Sequence, residues 1–268
     1  MTFIQALLLG IIQGLTEFIP VSSTAHLLIG QQLLNIPSSD FIFSFNVIIQ
    51  IGTILSLVFL FWKDLLTLVK SFFAKPFSTP ENKLAWNIIF ATIPAAAIGY
   101  FSHDVIEGFF SAPLLQASIR LFSAAILLSL AELLGKRVRS IDEMTWLDAL
   151  IIGCFQIIAF IPGASRSSST ISGGMFRGFD RPSAARFAFL MAVPIMLGAG
   201  SFQMLEAARL PGLTEFLPVL AIGFITAAIV GWIAVRWLIS YLGKHSLYVF
   251  SIYCAIVGAV VLIFRFVI

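Results

Sequence analysis

Residues Gly10 to Leu28 read GIIQGLTEFIPVSSTAHLL. The stretch starts as an apolar helix and then sets a carboxylate (Glu17), a proline (Pro20), hydroxyls (Ser22, Ser23, Thr24) and a histidine (His26) within ten residues. Gly153 to Gly173, GCFQIIAFIPGASRSSSTISG, is a partial copy. Gly-x-x-Gln opens both, and Phe18-Ile19-Pro20-Val21-Ser22-Ser23 parallels Phe160-Ile161-Pro162-Gly163-Ala164-Ser165, with the register slipping by one residue after the glutamine. A helix broken at Pro20 and a second one broken at Pro162 suggest two similar devices, and the polar residues gathered at the breaks suggest one shared site.

The surroundings of these stretches decide the solvent. The 268 residues are 59% hydrophobic and 11% charged, against about 45–50% and about 25% in a soluble globular chain. Mean hydropathy is +1.02. Long apolar runs dominate and period-2 alternation does not, so the fold class is an all-α integral membrane protein. The length leaves no room for a sizeable soluble domain. The N-terminus does not read as a signal peptide, because no Lys or Arg precedes the apolar run and Glu17 interrupts it. Cys154 and Cys254 lie in apolar runs and read as packing residues. The formal charge of +3 is spread along the chain and describes topology, with no nucleic-acid partner.

Residues 3–19 and 24–34 are each shorter than the roughly 20 residues of a comfortable span, and so are 147–161 and 168–179. Each pair reads as a re-entrant helical hairpin, whose irregular backbone is tolerable at membrane depth only against protein or a water-filled cavity. About six transmembrane helices complete the chain: 41–62 (polar on one face through Asn46 and Gln50), 84–101 and 183–205 (bent at Pro94 and Pro194), 113–134, 216–242 and 247–268. Residues 63–83 read as a partly amphipathic loop, and 102–112 as a short loop carrying His103, Asp104 and Glu107.

If the long segments alternate, Lys63, Lys70, Lys75, Lys83, Lys136, Arg137, Arg139, Arg177, Arg181, Arg186, Arg236 and Lys244 fall on one side, 12 of the 16 basic residues, and the opposite loops hold only Arg209. The positive-inside rule makes the first side cytoplasmic. The first hairpin then enters from outside and the second from the cytoplasm. Similar segments of opposite orientation are the mark of an inverted-topology repeat, here roughly 1–112 and 146–243 within a single membrane domain, 1–268.

Glu17 is the most pointed residue. An ionisable group in an apolar segment costs about 2.5–3.5 kcal/mol on insertion scales and usually faces a cavity or a partner. Gln13 precedes it by one helical turn, on a narrow face with Gly10 and Gly14. The bland alternative is a structural polar contact. His26 suits a general acid or base, a phosphate donor or a nucleophile; standing alone it would read as a packing histidine. Arg166, flanked by hydroxyls at a helix start, matches phosphate oxygens, or serves as the charge partner of Glu17. The Ser/Thr run around it also serves to cap the helix. Arg120 and Glu132 read as structural or snorkelling groups. No Walker A, His-Glu-x-x-His or Gly-x-Ser-x-Gly occurs. A membrane phosphatase, a transporter or lipid flippase, and an intramembrane Ser–His protease therefore stand as readings of different class. A Glu, Ser, His and Arg set on the breaks favours the first, since a transporter needs no nucleophile–base pair.

At QGLTEFIPVSSTAH (Gln13–His26) and PGASRSSST (Pro162–Thr170) the chain resembles the undecaprenyl-diphosphate phosphatases of the bacitracin-resistance type, over nearly its whole length. The resemblance implies a multi-pass protein of the bacterial inner membrane with its active site facing the outer side. It also implies an inverted repeat with re-entrant helix pairs, a polyprenyl diphosphate lipid substrate, and a divalent cation, Mg2+ or Ca2+, as cofactor. It assigns catalysis to Glu17, Ser23, His26 and Arg166. Ser22, Thr24, Ser165, Ser167 and Thr170 stand beside them as substrate-binding residues, and Glu17 with Gln13 as the metal site. Gln13 replaces the family's common Glu and Ala25 its common Gly, so Glu17 must supply most of the site's negative charge. Homodimerisation is left open.

Overall fold

The computed structural model describes residues 1–101, 112–159, 164–207 and 213–267. The Pro162–Gly163 break, the His103–Glu107 loop and Arg209 lie outside the described residues. Among those described there is no strand, only an isolated bridge between Arg139 and Phe179.

The helices are α1 (Phe3–Thr16), α2 (Ser23–Leu33), α3 (Asp40–Leu60), α4 (Trp62–Phe72), α5 (Pro80–Phe101), α6 (Pro113–Leu134), α7 (Trp146–Ile157), α8 (Arg166–Phe176), α9 (Arg181–Ala207), α10 (Leu213–Leu242) and α11 (Tyr248–Val267). The fold is thus all-α, and among the described residues five helices are long and apolar enough to cross a membrane: α3, α6, and the stretches Arg181–Leu205 of α9, Phe216–Leu242 of α10 and Tyr248–Phe266 of α11. α5 is as long, at 22 residues, but opens with Glu81, Asn82 and Lys83. The segment expected as a loop after Trp62 forms α4 instead. Its apolar residues Leu65, Leu68 and Phe72 recur at helical spacing and pack on the core, which is what an amphipathic helix requires.

α1 and α7 are short apolar helices that start on capping boxes. Thr2 and Gln5 cap α1 reciprocally, as do Thr145 and Asp148 on α7. α1 packs on α10, and α7 packs on α5. Both contacts need glycine. A Cβ on Gly10 would lie 2.7 Å from the Gly223 carbonyl oxygen, and one on Gly153 would strike the Ala91 carbonyl. Small residues at such points let backbones approach closely where no hydrophobic effect drives helices together. These are the glycines that open the two Gly-x-x-Gln copies.

The remaining contacts follow the same exchange. α2 and α8 both pack on α6, α3 packs on α10 while α9 packs on α5, and α3 packs directly on α9. α11 covers α6. The core is lined by Phe18, Leu57, Leu121, Ile171, Phe187 and Phe189, all fully buried.

One end of the bundle is held by two buried carboxylates. Glu132 accepts from Arg137 (2.8 Å), from Arg181 Nε and Nη2 (both 2.6 Å) and from the Leu247 amide (2.7 Å). Asp148 accepts from Arg139 Nη2 and Arg177 Nε, each at 2.7 Å. The reading of Glu132 as structural agrees with this. Cys254 is buried, as expected of a packing residue, whereas Cys154 is exposed on the outer face of α7.

Candidate active site

α1 ends at Thr16, and residues 17–22 turn the chain before α2 starts at Ser23. The turn is specified by its ends. Phe18 is fully buried and meets Phe189 of α9 edge-on at 5.7 Å. Pro20 cannot continue the helix, which leaves its own carbonyl without a helical partner; Ser168 Oγ of α8 donates to it at 2.8 Å. That bond ties the start of α8 to the first break. Ser22, buried, sits at φ 71°, ψ 92° and makes no side-chain cap, a left-handed conformation that costs a non-glycine residue about 1–3 kcal/mol.

Glu17 stands at the centre, 6% exposed. Its Oε2 accepts from Gln13 Nε2 at 2.9 Å and from Ser23 Oγ at 2.7 Å. Its Oε1 accepts from Arg166 Nη2 at 2.8 Å. A buried carboxylate with three donors is well satisfied. The pair with Arg166 is the charge partnership raised from the sequence, and it joins the first break to the second across 149 positions.

His26 is fixed differently. Its Nδ1 donates to the Ser22 carbonyl at 2.8 Å, which leaves Nε2 as acceptor for the Tyr253 hydroxyl, also at 2.8 Å. The two rings are near-parallel with centroids 5.7 Å apart. Both ring nitrogens are thereby engaged, and neither is on Ser23, whose hydroxyl proton points at Glu17. Tyr253 lies on α11, 227 positions from His26, and no local pattern announces it.

On the second side, Ser165 caps α8 by accepting from the Ser168 amide at 3.3 Å, and its hydroxyl meets Ser167 Oγ at 3.0 Å. Thr170 returns its hydroxyl to the Arg166 carbonyl at 2.9 Å. Thr24 is exposed. The structure therefore gathers Gln13, Glu17, Ser23 and Arg166 into one hydrogen-bonded chain, with Ser22 and His26 attached through the turn. Ser165, Ser167 and Thr170 are engaged in building α8.

Among the described residues no three His, Cys, Asp or Glu side chains gather as a metal site. The donor set at Glu17 nevertheless fits a hard cation. Gln13 Oε1 is buried without a hydrogen-bond partner beside the carboxylate, and an oxygen pair completed by water and substrate phosphate is how Mg2+ is commonly held.

The family described as bacitracin resistance protein BacA matches residues 6–260. A protein named undecaprenyl-diphosphatase from Rubrobacter xylanophilus is 38% identical over 269 residues, covering 97% of this chain and 98% of its own. One of the same name from Alkaliphilus metalliredigens is 38% identical over 275 residues, covering 98% and 99%. Another, from Chlorobium phaeovibrioides, is 39% identical over 279 residues, covering 98% and 97%.

Proposed function

The chain belongs to the bacitracin resistance protein BacA family, and we infer from that membership and from the Glu17 constellation that it is an undecaprenyl-diphosphate phosphatase. It hydrolyses undecaprenyl diphosphate to undecaprenyl phosphate and inorganic phosphate, which returns the lipid carrier to cell-wall synthesis. The observation that carries the chemistry is the chain Ser23 Oγ–H, Glu17, Arg166, with bonds of 2.7 and 2.8 Å. It places a hydroxyl nucleophile, its base and a phosphate-binding cation on one carboxylate.

Ser23 attacks the terminal phosphorus and its proton passes to Glu17 Oε2. The Oγ–P bond forms as the bridging P–O bond breaks, and the electron pair leaves with undecaprenyl phosphate. Water then attacks the same phosphorus, the Oγ–P bond breaks, and the serine oxygen recovers its proton from Glu17. Because Ser23 already donates to Glu17 while His26 is turned to Ser22 and Tyr253, Glu17 is the base for the serine. His26 holds the Ser22 carbonyl and with it the shape of the turn. Arg166, whose Nη2 meets Glu17, sets its positive charge beside the attacked phosphate. A divalent cation held by Glu17 and Gln13 would neutralise charge developing on the phosphate oxygens.

The exchange pattern of helix contacts supports two inverted repeats whose broken helices enter from opposite faces. By the positive-inside rule, the arginines bound to Glu132 and Asp148 support a cytoplasmic end there and an inner-membrane protein whose site opens outward. Homodimerisation is tested by the mass of the detergent-purified protein. The function is tested by phosphate release from a long-chain prenyl diphosphate by purified protein in detergent, with and without a chelator. Metal-dependent release, with no second compartment present, is the expected result. No release across several metals and chain lengths would return the flippase reading to the front.

A further inference from the structure

Arg166 divides its guanidinium. Nη2 binds Glu17, while Nη1 is buried with no hydrogen-bond partner. Arg166 also lines a cavity of about 200 Å³ built from α3, α7, α8 and α9, and Glu17 is not among its described lining residues. Against roughly 30 Å³ for one water, that is space for a tetrahedral oxyanion with its solvent.

The polar lining is Arg166, Gln50, Gln156 and Gln203, facing an apolar wall that includes Ile54 and Met196. Gln156 is the informative residue. It is 2% exposed, it sits in the last turn of α7, and both its amide atoms are buried without a partner. A glutamine left so in a membrane core is costly, and a leucine of similar size would serve packing better. Among the described residues no carboxylate lines the cavity, and Arg166 with three glutamines suits an anion: guanidinium and amide N–H groups for phosphate oxygens, and the Gln156 carbonyl oxygen for a protonated phosphate oxygen or a water.

We propose that this cavity is a second phosphate-group subsite, reached from the catalytic carboxylate through the two arms of Arg166. The inference rests on the phosphatase reading and names where a phosphate group lies when it is not at Ser23. Gln203 is in the last turn of α9, at the end away from Arg181 and Arg186. A phosphate group in the cavity is therefore on the side opposite the cationic loops.

The test is steady-state phosphate release by the full-length protein in detergent, with added orthophosphate as inhibitor, for wild type, Gln156→Leu, Gln203→Leu and Gln50→Leu. Thermal unfolding and a 31P NMR titration with orthophosphate accompany it. Gln156→Leu is expected to raise one of two constants at least tenfold without lowering the unfolding midpoint. A raised KM identifies the lipid head group as the occupant. A raised inhibition constant, with orthophosphate line broadening lost, identifies the free product. Gln203→Leu and Gln50→Leu should move the same constant by a smaller factor, and they carry the test if Gln156→Leu does not fold. Both constants unchanged in the folded variants overturns the subsite. Wild type that releases no phosphate sinks the phosphatase reading instead, and the NMR arm, which needs no turnover, then decides the subsite alone.

Discussion

The two breaks share a sequence pattern and differ in what they do with it. At the second, most of the hydroxyls are consumed by structure: Ser165 caps α8, Ser168 satisfies the Pro20 carbonyl, and Thr170 bonds back to its own helix, while Ser169 Oγ is buried without a partner. Ser165 has an ordinary extended cap geometry, φ −74°. At the first, Ser22 takes the cap position at φ 71° without capping, and Ser23 gives its proton to Glu17. Local structure has left the first break's groups unspent, and they are the ones available for chemistry. The second break contributes a single chemical group, Arg166, aimed at the first. An ancestral duplication would explain the pattern, and the departure from it marks the division of labour.

The largest expected effect comes from removing the carboxylate that joins them. Glu17→Gln should lower phosphate release about 10³-fold, the scale of a lost general base. It also leaves Arg166 as an uncompensated buried charge, a loss of about 3–5 kcal/mol when one partner of a buried pair is removed. The double variant Glu17→Gln, Arg166→Gln removes both charges. It should recover part of the unfolding midpoint and none of the activity. Recovery of both would reduce the pair to a structural tie, and the two breaks would then differ in decoration only.

Next in size is the pair of equivalent serines. Ser23→Ala should cost at least about 10²-fold in kcat and, by taking one of three donors from the buried Glu17 carboxylate, about 1–3 kcal/mol of stability. Ser165→Ala should cost about 1 kcal/mol of stability with its cap and leave activity within a few-fold. Thermal unfolding and phosphate release, measured on both, separate the roles. Equal effects on activity would mean that the breaks contribute nucleophilic hydroxyls interchangeably.

His26 tests how far the site extends beyond the breaks. Tyr253→Phe removes the hydroxyl that fills the Nε2 lone pair and nothing else. Loss of one such hydrogen bond, worth about 1 kcal/mol, is roughly fivefold. It should appear in kcat with KM and the pH profile of kcat unchanged, because His26 acts by holding the turn. A profile that moves would give His26 a proton-transfer role instead.

Much of this was legible before any coordinates. Composition made the chain a helical membrane protein, and Pro20 with its neighbours located the break. Glu17 and Arg166 stood out because ionisable groups in apolar segments need a reason. What stayed hidden were relations between distant residues. Tyr253 has no signature on α11, and Gln156 read as half of a repeat motif because an amide's lack of partners exists only in three dimensions. The basic residues were legible in number but not in use: Arg137, Arg139, Arg177 and Arg181 bind Glu132 and Asp148. Residues 63–83 read as a partly amphipathic loop because their lysines, Pro76 and Pro80 outweighed the apolar face that packs α4 down.

The smallest expected effect bears on why the first break is strained at all. At φ 71° a side chain is disfavoured and glycine is not, so Ser22→Gly should raise the unfolding midpoint, by an amount equivalent to about 1 kcal/mol or less once the entropy of glycine is counted. Ser165→Gly, at φ −74°, relieves no strain and should lower it by a few tenths of a kcal/mol. Opposite signs at the two N-cap positions are a specific outcome. Activity of Ser22→Gly should fall two- to threefold, because the Ser22 carbonyl is what holds His26 Nδ1 and a glycine there lets the turn move. If Ser22→Gly is instead more stable and fully active, the strain serves no positioning role. If it is less stable, the left-handed turn is sustained by contacts of the Ser22 side chain itself, and the two caps are more alike than their backbone angles suggest.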